Sequence, residues 1–206
     1  THLESEGNVC VELNIPSDLE SYHKMLSKSV RQNIRTAFNR AEKDGVLLTF
    51  NFDDQNVNIE EFKSFREAHL GDKIMKGGTT LKNRLIYFIS TKILGRGVYE
   101  FYPYIPFQHD PHAHFITCRD QNNRLCAAYC YGIDKVHNKI VLMAVATNAN
   151  FYRYSPGILS IYKFVLEQMD KHGFAKVDFT RGNEIYKYSL GGVNHYNHNL
   201  TFSIEK

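Results

Sequence analysis

Tryptophan is absent from this 206-residue chain, proline occurs only five times, and no apolar run approaches the roughly 18 residues of a membrane-spanning helix. The longest apolar run, Ile140 to Ala146, has the length of a buried strand. The four cysteines (Cys10, Cys118, Cys126 and Cys130) form no Cys-x-x-Cys pair, which removes the main support for a metal ribbon or a thioredoxin-like site. They read as reduced, buried residues of a cytoplasmic protein. Excess charge of one sign is also missing. A formal net charge of +3 is too mild to argue for nucleic acid by itself. There is no Gly-Lys-Ser/Thr phosphate loop, no Gly-x-Ser-x-Gly elbow and no His-Glu-x-x-His helix. Signal-peptide and low-complexity patterns are lacking, and the first residue is not Met, so the chain is expected to be the C-terminal part of a longer protein. What remains is an apolar fraction of 43% and a charged fraction of 23%, the balance of a globular domain with a real core. The 13 Tyr and 14 Phe must supply the aromatic packing.

The pattern along the chain predicts an α/β domain. Val9 to Ile15 reads as a strand. Ser17 as N-cap, with Glu20 three residues on, opens a helix that runs to Asp44 and stops at Gly45. Its apolar stripe is Leu26, Val30, Ile34, Ala37, Phe38 and Ala41. Val46 to Phe52 alternates as a strand, and Ile59 to Leu70 forms a helix ending at Gly71, with Phe62, Phe65 and His69 on one side. Gly77 and Gly78 break the chain. Leu81 to Leu94 then forms a helix with Leu81, Leu85, Phe88 and Ile89 inward. Val98 to Phe107, interrupted by Pro103 and Pro106, is an edge strand or extended loop. His114–Arg119, Arg124–Ile133 and Lys139–Thr147 follow as three antiparallel strands, the last apolar on both faces and so central. A loop leads to a Ser155-Pro156-Gly157 helix start, with that helix ending at Gly173. A short strand (Ala175 to Phe179), a loop or short helix and a last strand (Tyr196 to Ile204) complete the order. A single domain over 1–206 is expected, with 1–97 a mainly helical cover and 98–206 the sheet core.

Four places concentrate chemistry. Where the central strand runs into the Ser155 helix start, unpaired N–H groups and the helix dipole suit a phosphate. Gly157 would admit close approach there, Ser155 would cap or contact phosphate, and Arg153 would add charge; an ordinary capped junction has the same sequence. The run from Asp178 to Lys187 holds Asp178, Arg181, Glu184, Tyr186 and Lys187 just past a strand end, where open α/β sheets keep their sites. Glu184 and Lys187 would equally serve as an i,i+3 surface pair. Lys24, Lys28, Arg31 and Arg35 share one face of the long helix, either a solvated face or a groove for an anionic substrate. His109, Asp110, His112 and His114 are close in sequence but lie on a proline-containing loop without further ligands, and no metal is expected.

These segments together resemble a known group. The basic stretch from Ser27 to Gly45, Tyr154-Ser155-Pro156-Gly157-Ile158-Leu159, and Asp178-Phe-Thr-Arg181-Gly182-Asn-Glu184-Ile-Tyr186-Lys187 are similar to the acetyltransferase-like group of bacterial cellulose and exopolysaccharide biosynthesis. That group belongs to the GNAT superfamily of acyl-CoA N-acyltransferases and is related to the Fem peptidyltransferases. The resemblance implies a GNAT fold, with a mixed, mostly antiparallel central sheet flanked by helices. It implies acetyl-CoA or another acyl-CoA as donor, bound in the gap between the strand ending at Thr147 and the strand from Ala175 to Phe179. Thr147, Arg153, Ser155, Gly157 and Ile158 would hold that donor. The acyl group would pass to an amine, or a hydroxyl, of a cell-envelope or polysaccharide precursor. Pro156 has no N–H to offer, and the usual glycine-rich pyrophosphate loop is reduced to Tyr-Ser-Pro-Gly. This leaves room for an aminoacyl-tRNA donor in the Fem manner, or for a catalytically silent binding module on the same scaffold.

Acyl transfer to an amine needs a base, an oxyanion stabiliser and a proton for the leaving group. No acidic residue lies within Lys139 to Thr147, so the base role falls to Glu184 or Asp178. Tyr186 is the candidate for protonating the leaving group. Lys187 resembles the Lys that Fem relatives place near the reacting carbonyl, and would stabilise the oxyanion. Arg31, Arg35 and Arg181 would bind the anionic part of the acceptor. The acceptor and the oligomeric state are not readable from the residues.

Overall fold

The computed structural model of the chain describes residues 2–57, 59–75, 81–89, 93 and 113–202. Gly77, Gly78, the expected extended segment from Val98 to Phe107, and His109, Asp110 and His112 lie outside the described residues. In chain order the elements are β1 (His2–Asn14), α1 (Leu19–Met25), α2 (Lys28–Lys43), β2 (Thr49–Phe52), α3 (Ile59–Met75) and α4 (Leu81–Phe88). There follow β3 (His114–Arg119), β4 (Leu125–Asp134), β5 (Lys139–Thr147), a 3₁₀ turn (Ala149–Tyr154), α5 (Pro156–Lys171), β6 (Lys176–Arg181), α6 (Ile185–Ser189) and β7 (Val193–Phe202).

The strands form one seven-stranded mixed sheet in the order β2-β3-β4-β5-β6-β1-β7, with β5 in the middle as its two apolar faces require. β5 and β6 are parallel, with Lys139↔Lys176, Ile140↔Val177 and Val141↔Asp178 in register. β1 is antiparallel to both β6 and β7, and β2 to β3 and β3 to β4 are antiparallel as well. This is the α/β class with a mostly antiparallel sheet and flanking helices that the sequence predicts. The first half of the chain contributes two of the strands, β1 and β2, along with its helices.

The chain divides into two compact units, one of residues 1–33, 133–142 and 165–206, the other of residues 34–132 and 143–164. In the first, Val11, Leu13, Tyr22, Leu26, Ile140, Val177 and Leu190 are buried. In the second, one apolar cluster gathers Val57 and Phe62 with Phe115, Leu125, Ala128, Cys130 and Ala144, and another gathers Ala41 with Cys118, Cys126, Ala127, Phe151 and Tyr154. Each fully buried Leu, Ile or Phe contributes about 1.5–3 kcal/mol by leaving water. All four cysteines are buried, and none is joined in a disulfide.

Three local expectations are corrected. The long helix from Ser17 is two helices. Asp18, not Ser17, is the N-cap of α1, accepting from the Ser21 N–H. Ser27 restarts the chain as cap of α2, its Oγ accepting from the Val30 N–H at 3.3 Å, and the Arg31 guanidinium reaches back to the carbonyls of His23 and Leu26. The basic stripe is therefore interrupted: Lys24 stands on α1, paired with Glu20 at 2.8 Å. Next, α3 does not stop at Gly71 but runs on to Met75. A side chain at position 71 would collide with the Tyr87 hydroxyl, so glycine lets α4 pack there. That contact also reverses α4: Leu81, Leu85, Phe88 and Ile89, expected inward, are exposed, because the Tyr87 face meets α3.

Candidate functional site

The expected donor junction lies within one unit. Thr147 ends β5, and Asn148 pins that end to β4: its N–H donates to the Cys126 carbonyl at 2.9 Å and its side-chain amide to the Leu125 carbonyl at 3.4 Å. Asn148 also caps the 3₁₀ turn by accepting from the Asn150 N–H. Ser155 then adopts the left-handed conformation (φ 47°, ψ 46°) and turns the chain into α5, its carbonyl accepting from the Leu159 N–H at 3.0 Å. Gly157 is buried, and its missing side chain serves internal packing. A Cβ there would stand 3.1 Å from Thr147 Cγ2 and 3.3 Å from Tyr129 Oη, and the Tyr129 hydroxyl donates to the Gly157 carbonyl at 3.2 Å. Ile158 is half-buried on the first turn of α5. Arg153 is exposed but engaged: its guanidinium pairs with Asp44 Oδ2 at 3.1 Å and stacks on the Tyr154 ring, whose hydroxyl donates to the same carboxylate.

A residue outside the expected set joins this junction. His69, on α3, places Nδ1 3.1 Å from the Thr147 carbonyl, 3.4 Å from Thr147 Oγ1 and 3.5 Å from the Tyr152 hydroxyl. In the sequence it reads as part of an apolar face with Phe62 and Phe65. The signal that marks it is a titratable ring one turn beyond Phe65, where a packing residue would do.

The segment from Asp178 to Lys187 belongs to the other unit. Cys10↔Arg181 and Glu12↔Asp178 are in register, so β6 carries one residue more than β1 between those pairs, a β-bulge. Thr180 sits in the bulge at φ 60°, a strained conformation for a β-branched residue. Asp178 Oδ1 accepts from the Thr180 N–H at 2.8 Å and Asp178 Oδ2 from Lys139 Nζ at 2.8 Å. Lys139 also reaches Glu12, which Lys176 holds at 2.8 Å. Burial would raise the Glu12 carboxyl, but the hydrogen bonds from Lys176 and Lys139 outweigh it and hold it below the usual carboxylate range.

Lys187 is 2% exposed. Its ammonium donates to the carbonyls of Arg181 at 2.9 Å, Gly182 at 3.3 Å and Thr180 at 3.4 Å, and pairs with Glu184 Oε2 at 2.8 Å. The i,i+3 pair is thus present, with its lysine end buried and its glutamate end exposed. Gly182 adopts φ 107°, which admits the turn that aims these carbonyls inward. Tyr186 sets its ring edge-on to Phe179, and burial, followed by the Glu184 charge, pushes its hydroxyl up to about 12. Arg181 is exposed at the end of β6.

This fold is similar to that of FemX. The solved FemX structure aligns with a TM-score of 0.57 and 11% identity over 92% of this chain and 60% of its own. The L-PGS structure from Bacillus licheniformis aligns at 0.52 with 10% identity, over 97% of this chain and 60% of its own. The C-terminal domain of a putative lysylphosphatidylglycerol synthetase from Agrobacterium fabrum aligns at 0.53 with 8% identity, over 97% and 61%. The chain therefore spans about three-fifths of the length of these proteins. No family model and no curated protein matches the sequence.

On this FemX-like fold the expected site residues fall into two groups. Thr147, Arg153, Ser155, Gly157 and Ile158 are gathered around one strand–helix junction, joined by His69. Asp178, Arg181, Glu184, Tyr186 and Lys187 are gathered around the end of β6 in the other unit. Arg31 and Arg35 lie on α2, where Arg31 ties α2 to the end of α1. Of the histidine-rich stretch, His114 stands on β3 with Nδ1 2.6 Å from Asp53 Oδ1 and its ring stacked on Tyr131. Among the described residues no helix is long and apolar enough to cross a membrane.

Proposed function

We propose that the chain is a transferase that moves an activated acyl group onto an amine, or a hydroxyl, of a cell-envelope or polysaccharide precursor. The observation that carries this reading is the shared fold, which extends over 92–97% of the chain and matches FemX, L-PGS and the C-terminal domain of a putative lysylphosphatidylglycerol synthetase. One of these bears the name of a putative lysylphosphatidylglycerol synthetase, a name that joins an amino acid to a lipid and is chemistry of the proposed class. In this reading the donor lies at the junction of Thr147, Ser155, Gly157 and Ile158. Tyr186, in the other unit, keeps its proton through neutral pH and is the proton donor proposed for the end of β6. Arg181, at the end of β6, and separately Arg35, on α2, are the candidates for an anionic group of the acceptor. Lys187 holds the turn after β6 in shape. The setting is cytoplasmic, where four reduced cysteines are at home.

Acyl-CoA is the first donor to test. Aminoacyl-tRNA is the second, and the junction itself favours it over a simple pyrophosphate loop. Pro156 lacks an N–H, and the space beside Gly157 is filled by Thr147 and Tyr129, so the first turn of α5 offers less backbone to a diphosphate than the fold's helix start otherwise would. Calorimetric titration with acetyl-CoA, and with desulfo-CoA as the non-reactive control, separates the two. Binding of about one equivalent supports the CoA reading. No binding up to millimolar donor, together with tRNA binding that weakens steeply with salt, supports the aminoacyl reading. Failure of both leaves a silent scaffold and overturns the transferase.

A further inference from the structure

Between β2, the end of β3 and the start of α3 lies a polar cavity of about 270 Å³. Asn51, Asp54, Asn56, Glu61, Arg119 and Asn123 line it, and all six belong to one unit. Asn51 stands opposite Thr117, and Arg119 follows two residues along β3, so these side chains share one side of the ladder. The wall is held in place by its own bonds. The Asp54 side chain is 2% exposed and accepts from Thr117 Oγ1 at 2.6 Å and from the Asn56 N–H and side-chain amide at 3.0 and 3.2 Å. Burial would raise the Asp54 carboxyl, but those bonds outweigh it and hold it below the usual carboxylate range. Arg119 donates to the Asn123 carbonyl at 3.0 Å, pairs with Glu61 at 3.1 Å, and faces Asp54 through Nε at 3.7 Å. The guanidinium is thus matched by carboxylates of the same wall, and the space itself calls for no counter-ion.

What the wall presents instead is a mixture of donors and acceptors: a guanidinium, carboxylate oxygens and amides that carry both. A hydroxyl also donates and accepts, so a ligand with several hydroxyls matches such a wall, whereas an apolar one would strip its polar groups of water without replacement. The volume lies just under the about 300–1,000 Å³ of pockets for drug-sized ligands and suits a single sugar ring. We infer that this cavity binds a neutral monosaccharide unit, its hydroxyls bonded to Asn51, Asp54, Arg119 and Asn123. The lining includes no aromatic ring for the sugar to stack on, so hydrogen bonds alone carry the affinity, and a Kd of about 1 mM or weaker is expected. Glu61 stands in the first turn of α3, and His69, eight residues on and about 12 Å along the helix, meets Thr147 at the donor junction. The cavity is therefore placed to hold a sugar unit of the acceptor beside the reacting one. That role rests on the transferase reading above; the binding site does not.

A network that only braces the connection from β2 to α3 would use the same bonds of Asp54 and Arg119, so the test turns on the side chains of Asn51 and Asn123. The full ¹⁵N-labelled chain is titrated with glucose, galactose and mannose, and with glucuronate and glucosamine as the anionic and cationic counterparts, while ¹⁵N–¹H correlation spectra are followed. At least one neutral hexose is expected to shift the side-chain amide signals of Asn51 and Asn123 saturably, and neither charged sugar is expected to bind more than about tenfold tighter. Asn51→Leu keeps the size of the side chain, and Asn123→Gly keeps the left-handed turn at φ 62°. Each should melt near the wild-type temperature and weaken binding by about tenfold or more, the loss of one or two hydroxyl bonds. No saturable shift with any of the three hexoses up to about 100 mM overturns the inference. So do shifts that both variants leave unchanged, and so does a charged sugar that binds more than tenfold tighter than every neutral one. Hexose binding at the cavity in a chain that turns over neither acyl-CoA nor aminoacyl-tRNA supports the site and removes its acceptor role together with the transferase reading. Turnover without hexose binding keeps that reading and overturns the site.

Discussion

Replacing Lys187 by Met should destabilise the fold before it says anything about catalysis. Met keeps most of the stem and its packing but removes the ammonium from three carbonyls, those of Thr180, Arg181 and Gly182. A hydrogen bond from a charged donor contributes about 1.5–3 kcal/mol net, but the bonds at 3.3 and 3.4 Å are long, and water can reach a turn that follows the exposed Arg181. The Glu184 partner is more than half exposed, so the ion pair itself adds at most about 1 kcal/mol. The expected loss is about 2–4 kcal/mol, a large share of the 5–15 kcal/mol typical of a domain. Urea denaturation followed by circular dichroism measures it directly, with the m-value as the check that the denatured state is unchanged. Lys187→Arg should lose nearly as much, because a planar guanidinium cannot fill a buried site shaped for a point cation. Glu184→Gln should lose no more than about 1 kcal/mol. A Lys187→Met variant within about 0.5 kcal/mol of wild type would refute the clamp, and would restore a role in which the ammonium turns outward to a reacting carbonyl.

Gly157→Ala should cost about 1 kcal/mol by pressing a methyl against Thr147 and Tyr129, and Thr147→Ser in the same chain should recover part of it; a thermal melt at unchanged temperature would refute the tight packing. Thr180→Gly should stabilise by up to about 1 kcal/mol by relieving φ 60° at a β-branched residue, and a loss larger than that would show that the hydroxyl bond to the Phe179 carbonyl matters more than the strain. Glu12 is depressed in the folded state, so its contribution is present above its unfolded value near ~4.3 and is lost as pH falls through its folded value. Glu12→Gln should therefore flatten the acid side of the stability–pH curve, and an unchanged slope would remove Glu12 from the acid response.

The parts of the fold that local chemistry decides were legible in the residues. The two hairpins joining β3, β4 and β5 were readable because Asn123 and Asn138 occupy left-handed turn positions that asparagine tolerates, flanked by alternating apolar strands. The central place of β5 followed from its two apolar faces, and the junction into α5 from Ser-Pro-Gly. The break between α1 and α2 was not legible, because the 3.6-residue apolar period continues across it from Leu26 to Val30 and Ile34. What marks the end of α1 is the reach of Arg31 back to the carbonyls of Leu26 and His23, together with a serine whose capping role depends on where the helix has already stopped. The outward turn of α4 was illegible for a similar reason: its stripe is amphipathic either way, and Tyr87 over Gly71 decides the face. At the candidate site the limit was different in kind. A charged residue beside a strand end has the same sequence whether its charge faces a substrate or its own backbone. Asp178, Lys187, Arg31 and Arg153 all prove to have partners within the fold. His69, seven and four residues after Phe62 and Phe65, passes for packing in the sequence, and its contact with the Thr147 carbonyl, far along the chain, lies outside any local pattern. Charge density in the sequence therefore located the ends of β5 and β6, and only the partner of each side chain could separate a residue that shapes such an end from one that acts there.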